Sequence, residues 1–272
     1  MRVDGGVRAG TDGGSRVIDL HSHLLPGIDD GSRTLEQSVS VLRSFAAAGV
    51  TDLAVTPHLR ASDIGPRGEI WVARRDNLLA ELAAAAPPGI RLHPGFEIML
   101  DEPLPAFATG DRRYAVGGSR YYLVEFPFSI VGDLATGILG RLTRAGVVPL
   151  VAHPERYYLC ALATFAAWCA AGAVLQVDAT TVTRPTSRGD MARRLVEEGL
   201  AAILASDNHG DNRSLVTGRR FLEERGAPEA AQWLTVTNPR AVLEDRPVTL
   251  IPRARIKTGI AEKIRTFMRR ET

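Results

Sequence analysis

Five of the six histidines in this chain, His21, His23, His58, His153 and His209, directly follow short apolar runs. Each run reads as a strand, so these imidazoles belong at strand ends. His21 and His23 are two residues apart, which on a strand turns both rings to one side. Asp207 and His209 repeat that spacing. A single histidine so placed would usually be a hydrogen-bonded core residue, but five at one rim beside carboxylates form the pattern of a metal site. The acids available to them are Asp30, Glu97, Glu125 and Asp207. Glu97 and Glu125 end apolar runs, where an unpaired charge is costly, so each calls for a metal ion or an arginine partner. Mixed imidazole and carboxylate donors suit Mn, Fe or Zn, whereas Mg and Ca prefer mostly oxygen. Arg156 and Arg213 lie a few residues beyond His153 and His209, where a guanidinium can hold phosphate oxygens bidentately. For either arginine the alternative is a salt bridge to a loop carboxylate. Asp19 shares the face of His21 and His23 and is expected to orient an imidazole. His93, inside a strand before Pro94 and without a companion, reads as structural. The chemistry this set suits is metal-assisted hydrolysis of a phosphoester.

Such a constellation needs strands that deliver their ends to one place. Seven candidate strands do so: 17–20, 53–56, 90–95, 121–124, 147–152, 174–177 and 202–205, each leading into His, Asp or Glu. Helical stretches separate most of them. Thr34 with Gln37 makes a capping box ahead of a helix closed by Gly49. Further helices are expected over about 69–86, 131–145, 159–171 and 187–199, each ending at a Pro or Gly signal. This alternation predicts α/β architecture with a parallel sheet, specifically a distorted TIM-like (β/α)7 barrel in a single domain; an open doubly wound sheet is the alternative. Residues 98–119 read as an elaborated loop that holds a short helix and an extra strand.

The 272 residues suffice for one sizeable core, and the 45% hydrophobic and 24% charged composition is that of a globular protein. A formal net charge of +2 gives no basic track for nucleic acid. Cys160 and Cys169, nine residues apart in one expected helix, face opposite ways and should remain unpaired thiols, which fits the cytoplasm. Residues 1–15 read as a flexible leader without a secretory signal, 16–250 as the barrel domain, and 251–272 as a basic tail. In that tail Ile256, Ile260, Ile264, Phe267 and Met268 fall near one helical face, which suggests either a helix docked on the barrel or peripheral contact with an anionic membrane.

The string Asp19-Leu20-His21-Ser22-His23-Leu24-Leu25-Pro26-Gly27-Ile28-Asp29-Asp30-Gly31 resembles the opening motif of the polymerase-and-histidinol-phosphatase (PHP) superfamily. Its second half is similar to the bacterial manganese-dependent protein-tyrosine phosphatases of capsule and exopolysaccharide operons. Thr56-Pro57-His58, Gly95-Phe96-Glu97, His153-Pro154-Glu155-Arg156 and Ser206-Asp207-Asn208-His209 follow in that family's order, over about residues 16–245. The resemblance implies three divalent ions. His21, His23, Glu97 and Asp207 would hold the first; Glu97 would bridge to a second held by Glu125 and His153; Asp30, His58 and His209 would hold the third. Arg156 would match the family's arginine of the His-Pro-Glu-Arg motif. Arg213 departs from the pattern, standing four rather than five residues after His209.

By the same resemblance the expected activity is hydrolysis of phosphotyrosine in a protein, for instance a bacterial tyrosine kinase of polysaccharide export, by metal-activated hydroxide. A phosphocysteine route is not expected, because neither cysteine begins a Cys-x5-Arg loop. Two other functions fit parts of the pattern: a histidinol-phosphate-type phosphoesterase, and a metal-binding regulatory module without turnover.

Overall fold

The computed structural model describes residues 16–257. Among the described residues nine short strands lie in two sheets, and every strand pair there is parallel. The first sheet has the order β1 (Val17–Asp19), β2 (Val50–Val55), β4 (Arg91–Pro94). The second runs β3 (His58–Arg60), β5 (Glu97–Met99), β6 (Tyr121–Glu125), β7 (Val148–Ala152), β8 (Val174–Asp178), β9 (Ala201–Ala205). Parallel strands covered by helices are buried on both faces, which is why β6 and β9 are buried at every residue.

Nine segments stand where seven runs are expected, because two of those runs are interrupted. Pro57 has no N–H to give the ladder, and the chain resumes only at His58. Its neighbour breaks alongside it, at Gly95-Phe96. Register survives the break: Val55 faces Pro94 before it and His58 faces Glu97 after it. The expected single ring of strands is therefore two sheets. They meet at the site end, where Ser22 and Asn208 form an isolated parallel bridge. There the His23 N–H donates to Asn208 O (2.7 Å) and the Asp207 N–H to His21 O (3.1 Å).

The connecting helices are α1 (Leu35–Ala47), α2 (Ala61–Ala85), α3 (Gly132–Arg144), α4 (Leu162–Ala170), α5 (Ala179–Thr183), α6 (Ser187–Glu197), α7 (Leu215–Glu224), α8 (Pro228–Gln232) and α9 (Asn238–Leu243). Thr34 caps α1 by accepting the Gln37 N–H (3.2 Å), but Gln37 reaches back to the Arg33 N–H, not to the cap itself. Helix α2 begins eight residues before the expected start, so Gly65-Pro66-Arg67-Gly68, whose composition argues against helix, lies inside it. Cys160 precedes α4 and does not share its helix with Cys169; both thiols are free. The elaborated loop holds three short 3-10 turns in place of the expected helix and no strand of its own, since β5, which reaches into it as far as Met99, is the resumed half of the interrupted run.

Phe126, Tyr157, Phe165 and Trp168 pack ring to ring at centroid distances of 5.2–6.1 Å. Because the Tyr157 hydroxyl also accepts the Phe126 N–H (3.0 Å), this cluster ties together the loops that leave β6 and β7. Residues 251–257 form no helix or strand: Ile251 and Ile256 are buried, and the Ala254 N–H donates to Glu197 O (3.1 Å). The leader 1–15 and the rest of the basic tail, 258–272, lie outside the described residues.

Candidate metal centre

Just beyond β1 the chain stays extended, and His21 and His23 point the same way, both fully buried. Their Nε2 atoms lie 3.0 Å apart. At that spacing both cannot carry protons, so at least one lone pair is aimed inward. Each ring is held from behind. His21 Nδ1 meets Gln176 Oε1 at 2.9 Å, and His23 Nδ1 donates to Asp29 Oδ2 at 2.8 Å. Asp29 also accepts the His58 N–H (3.0 Å) and the Gly31 N–H (3.0 Å), so one carboxylate fixes three parts of the site. Gly31 is required by that packing, since a Cβ there would sit 2.0 Å from the His23 carbonyl oxygen.

Asp207 and Glu97 complete the first group. The imidazole nitrogens of His21 and His23 stand 3.2–3.4 Å from Glu97 Oε2 and Asp207 Oδ1. Four donors each about 2.1 Å from a common centre would show spacings of this size. Glu97 is fully buried and its Oε2 has no hydrogen-bond partner, although three imidazoles surround it. A buried carboxylate oxygen left so, beside an inward lone pair, fits a bound cation.

Two further groups adjoin it. His58 Nδ1 lies 3.0 Å from Glu97 Oε2 and 3.3 Å from Glu125 Oε1, and His153 Nε2 approaches the same two residues at 2.9 and 3.8 Å. On the outer side Asp30 Oδ1 is 3.5 Å from His58 and 3.7 Å from His209. Metal-sized groupings thus occur at His21/His23/Glu97/Asp207, at His58/Glu97/Glu125 and at His23/Asp30/His58/His209. His153 joins the second through Glu97, and His23 and His58 each serve two groups. All nine candidate ligands come together, and exposure rises outward from the buried first group to Asp30, which is 72% exposed.

The charges are strongly interdependent. Burial disfavours an ionised Glu97, but His21 and His153 outweigh it and hold the carboxyl well below its usual range. Burial likewise opposes a charged His58, yet Glu125 and Glu97 push its imidazole up to about 10. Glu155, buried against Asp178, is pushed up to about 8. His153 (φ 33°) and Asp207 (φ 49°) adopt left-handed backbone conformations that non-glycine residues seldom take.

Arg156 and Arg213 form salt bridges here: both bond Asp207 Oδ2, Arg213 at 3.3 Å, while Arg156 also reaches Asp178 (3.2 Å) and Arg213 reaches Asp211 (2.9 Å). Asp19 does not orient a ring. Its Oδ1 accepts the backbone N–H groups of Ser206 (3.1 Å) and His21 (3.3 Å), clamping the chain past β1 to that past β9. His93 stays apart, on Asp52 at 2.9 Å. The sequence reading missed Asp29, Gln176 and Asp178 as partners of the site. Gln176 and Asp178 alternate on β8, a signal that was available.

Parallel strands that deliver imidazoles and carboxylates to one buried cluster define an α/β protein with a candidate multinuclear metal centre. The chain belongs to the CpsB/CapC capsular polysaccharide synthesis family, whose model matches residues 17–244. Its relatives include the putative tyrosine-protein phosphatase CapC of Staphylococcus aureus, 25% identical over 76% of this chain and 80% of the relative. The tyrosine-protein phosphatase CpsB of Streptococcus pneumoniae is 26% identical over 85% of this chain and 99% of its own. Among solved structures, one of the metal-dependent tyrosine phosphatases YwqE from Bacillus subtilis and CpsB from Streptococcus pneumoniae superposes with a TM-score of 0.74 at 24% identity, covering 89% of this chain and 100% of that one. An organophosphorus hydrolase from Deinococcus radiodurans shares the fold more distantly, with a TM-score of 0.54 at 14% identity over 89% of this chain and 99% of that one.

Proposed function

We propose that this chain is a metal-dependent phosphotyrosine-protein phosphatase. The observation that carries this is the buried His21/His23/Glu97/Asp207 group, with two arginines on the same aspartate and two more candidate ligand groups beside it. Membership of the CpsB/CapC family and relatives described as tyrosine-protein phosphatases support it.

His21, His23, Glu97 and Asp207 would hold one divalent ion, Glu97, Glu125 and His153 a second, and Asp30, His58 and His209 a third. Mn is the metal expected, with Fe or Zn able to use the same donors. Ions so held supply a lowered pKa for water and positive charge opposite the phosphoryl oxygens. The chain's own part is positioning. Asp29 and Gln176 fix the two inner imidazoles, while Arg156 and Arg213 offer N–H donors to phosphoryl oxygens as charge shifts in the displacement. Neither thiol competes as nucleophile: Cys160 lies against Ile130 O and Cys169 against Leu200 O, and burial pushes the Cys169 thiol up to about 11.

The two sheets are proposed to be one distorted (β/α)7 barrel, a reading supported by the continuous register past Pro57 and Gly95 and by the Ser22–Asn208 bridge. The substrate would be a phosphotyrosine protein, for example a tyrosine kinase of polysaccharide export, met in the cytoplasm. No helix among the described residues is long and apolar enough to cross a membrane. Peripheral contact of the basic tail with an anionic membrane surface belongs to the same proposal.

Chelator-stripped protein titrated with Mn, assayed on a phosphotyrosyl peptide and on histidinol phosphate, tests the proposal. Peptide turnover restored by metal, and abolished by combined His21→Ala and His23→Ala, is the expected result. Turnover of histidinol phosphate alone would overturn the assignment of substrate, and no turnover with metal bound would overturn the assignment as an enzyme.

A further inference from the structure

The metal-ligand cluster opens into a cavity of about 620 Å³, within the range of clefts that enclose small ligands. Its lining is mixed: His58 and Glu125 belong to the cluster, Arg60, Asp63 and Asp101 add charged groups, and Trp71, Met99 and Pro127 present apolar surface. A phosphate ester whose phosphoryl group meets the cluster finds apolar walls within the same cavity to receive its alcohol moiety. Trp71 is the aromatic among them, half-buried on α2.

The Arg74 guanidinium stands 5.8 Å from the centroid of the indole ring and donates to Gly27 O at 2.8 Å. That bond ties α2, which carries Trp71, to the loop that carries Asp29 and Asp30. Flat aromatic surface beside a phosphoryl-binding cluster favours a flat leaving group, because ring–ring contact adds attraction beyond simple burial.

Resting on the phosphatase reading above, we propose that Trp71 is the platform on which the ring of an aryl phosphate packs, and that it makes this site select aryl over alkyl phosphate esters. The selectivity is a property of the pocket wall and does not require any change at the metal ligands.

The experiment compares the full-length protein, loaded with Mn, with Trp71→Phe, Trp71→Leu and Trp71→Ala. Affinities for phenylphosphonate and ethylphosphonate, which are not hydrolysed, are measured by calorimetry, and kcat/KM for phenyl phosphate and ethyl phosphate is measured beside them. Leu refills the apolar wall without an aromatic face, so it remains informative where Ala unfolds the protein. The expected result is a fall of about tenfold in the phenyl-over-ethyl preference for Leu and Ala, in both affinity and kcat/KM, with Phe within about threefold of the parent and bound metal unchanged. An unchanged affinity preference in Trp71→Leu overturns the assignment. A parent that prefers phenylphosphonate but hydrolyses no ester refutes the phosphatase reading alone, and the affinity ratios still decide the role of Trp71.

Discussion

Arg156 and Arg213 reach the same atom, Asp207 Oδ2, from loops that follow different strands, β7 and β9. The opposite oxygen, Oδ1, faces His21 and His23. One aspartate thus links the imidazole cluster to both guanidinium groups.

Shared attachment makes the two arginines interdependent. Arg156→Ala is expected to lower kcat on a phosphotyrosyl peptide about 10²-fold, as loss of one charge-stabilising donor does elsewhere. Arg213→Ala should cost less, about tenfold, because Asp211 already engages that side chain. The double variant should lose less than the product of the two, since each single change already disturbs Asp207. Steady-state kinetics on all four proteins measures the coupling, and strict multiplicativity would show that the arginines act separately.

Asp29 contacts the back of His23, the His58 backbone and the Gly31 backbone, and it is not one of the grouped ligands. Removing such a partner leaves the ligand present but loosely aimed. Asp29→Asn is therefore expected to weaken metal affinity about 10–100-fold while keeping the fold. A competition titration against a fluorescent chelator measures this, and excess Mn should restore most of the activity. Asp30→Asn should spare the buried group, because Asp30 touches only His58 and His209 among the site residues.

Exposure predicts the order of metal loss. Asp30 is 72% exposed and His58 36%, whereas His21, His23 and Glu97 are at 0%. Dilution of metal-loaded protein into chelator should release metal in at least two phases, the outer group first. Stopped-flow absorbance of the chelator complex resolves the phases, and Asp30→Ala should remove the fast one. A single phase in both proteins would mean that the groups empty together.

How much of this was legible depended on local pattern. Asp30 ends no apolar run and rests on the family resemblance, while every other candidate ligand stood out because a polar group at the end of an apolar run is costly unless satisfied. Asp29 did not, since Asp30 beside it has the same chemistry and no spacing rule says which of two adjacent acids turns inward. The strand runs were visible as β-branched segments, but β3 and β5 have three residues each, too short to show alternation. Pro57 therefore looked like an ending when it was an interruption. Helix α2 was underestimated for the opposite reason: Gly65 and Pro66 lower the local propensity, and the tertiary setting overrides it.

The histidine read as structural offers a test away from the cluster. Asp52 is buried and accepts from Arg91 (2.9 and 3.1 Å), His93 (2.9 Å) and Thr51 (2.9 Å). Burial opposes its charge, but the bonds from His93 and Arg91 hold its carboxyl well below the usual range. A carboxyl depressed in the folded state adds stability above its unfolded pKa of about 3.9, and loses it as the pH falls toward the folded value. Asp52→Asn puts an NH₂ group where donors converge, so it should lower stability at pH 7 by roughly 1–3 kcal/mol. Below about pH 4 the parent gives up the same contribution and the two melting curves should approach each other. Metal content and kcat should stay near parental values, because none of these groups contacts the cluster. Thermal melts at pH 7, 5 and 3 decide it, and a gap that widens as the pH falls would contradict the role assigned to Asp52.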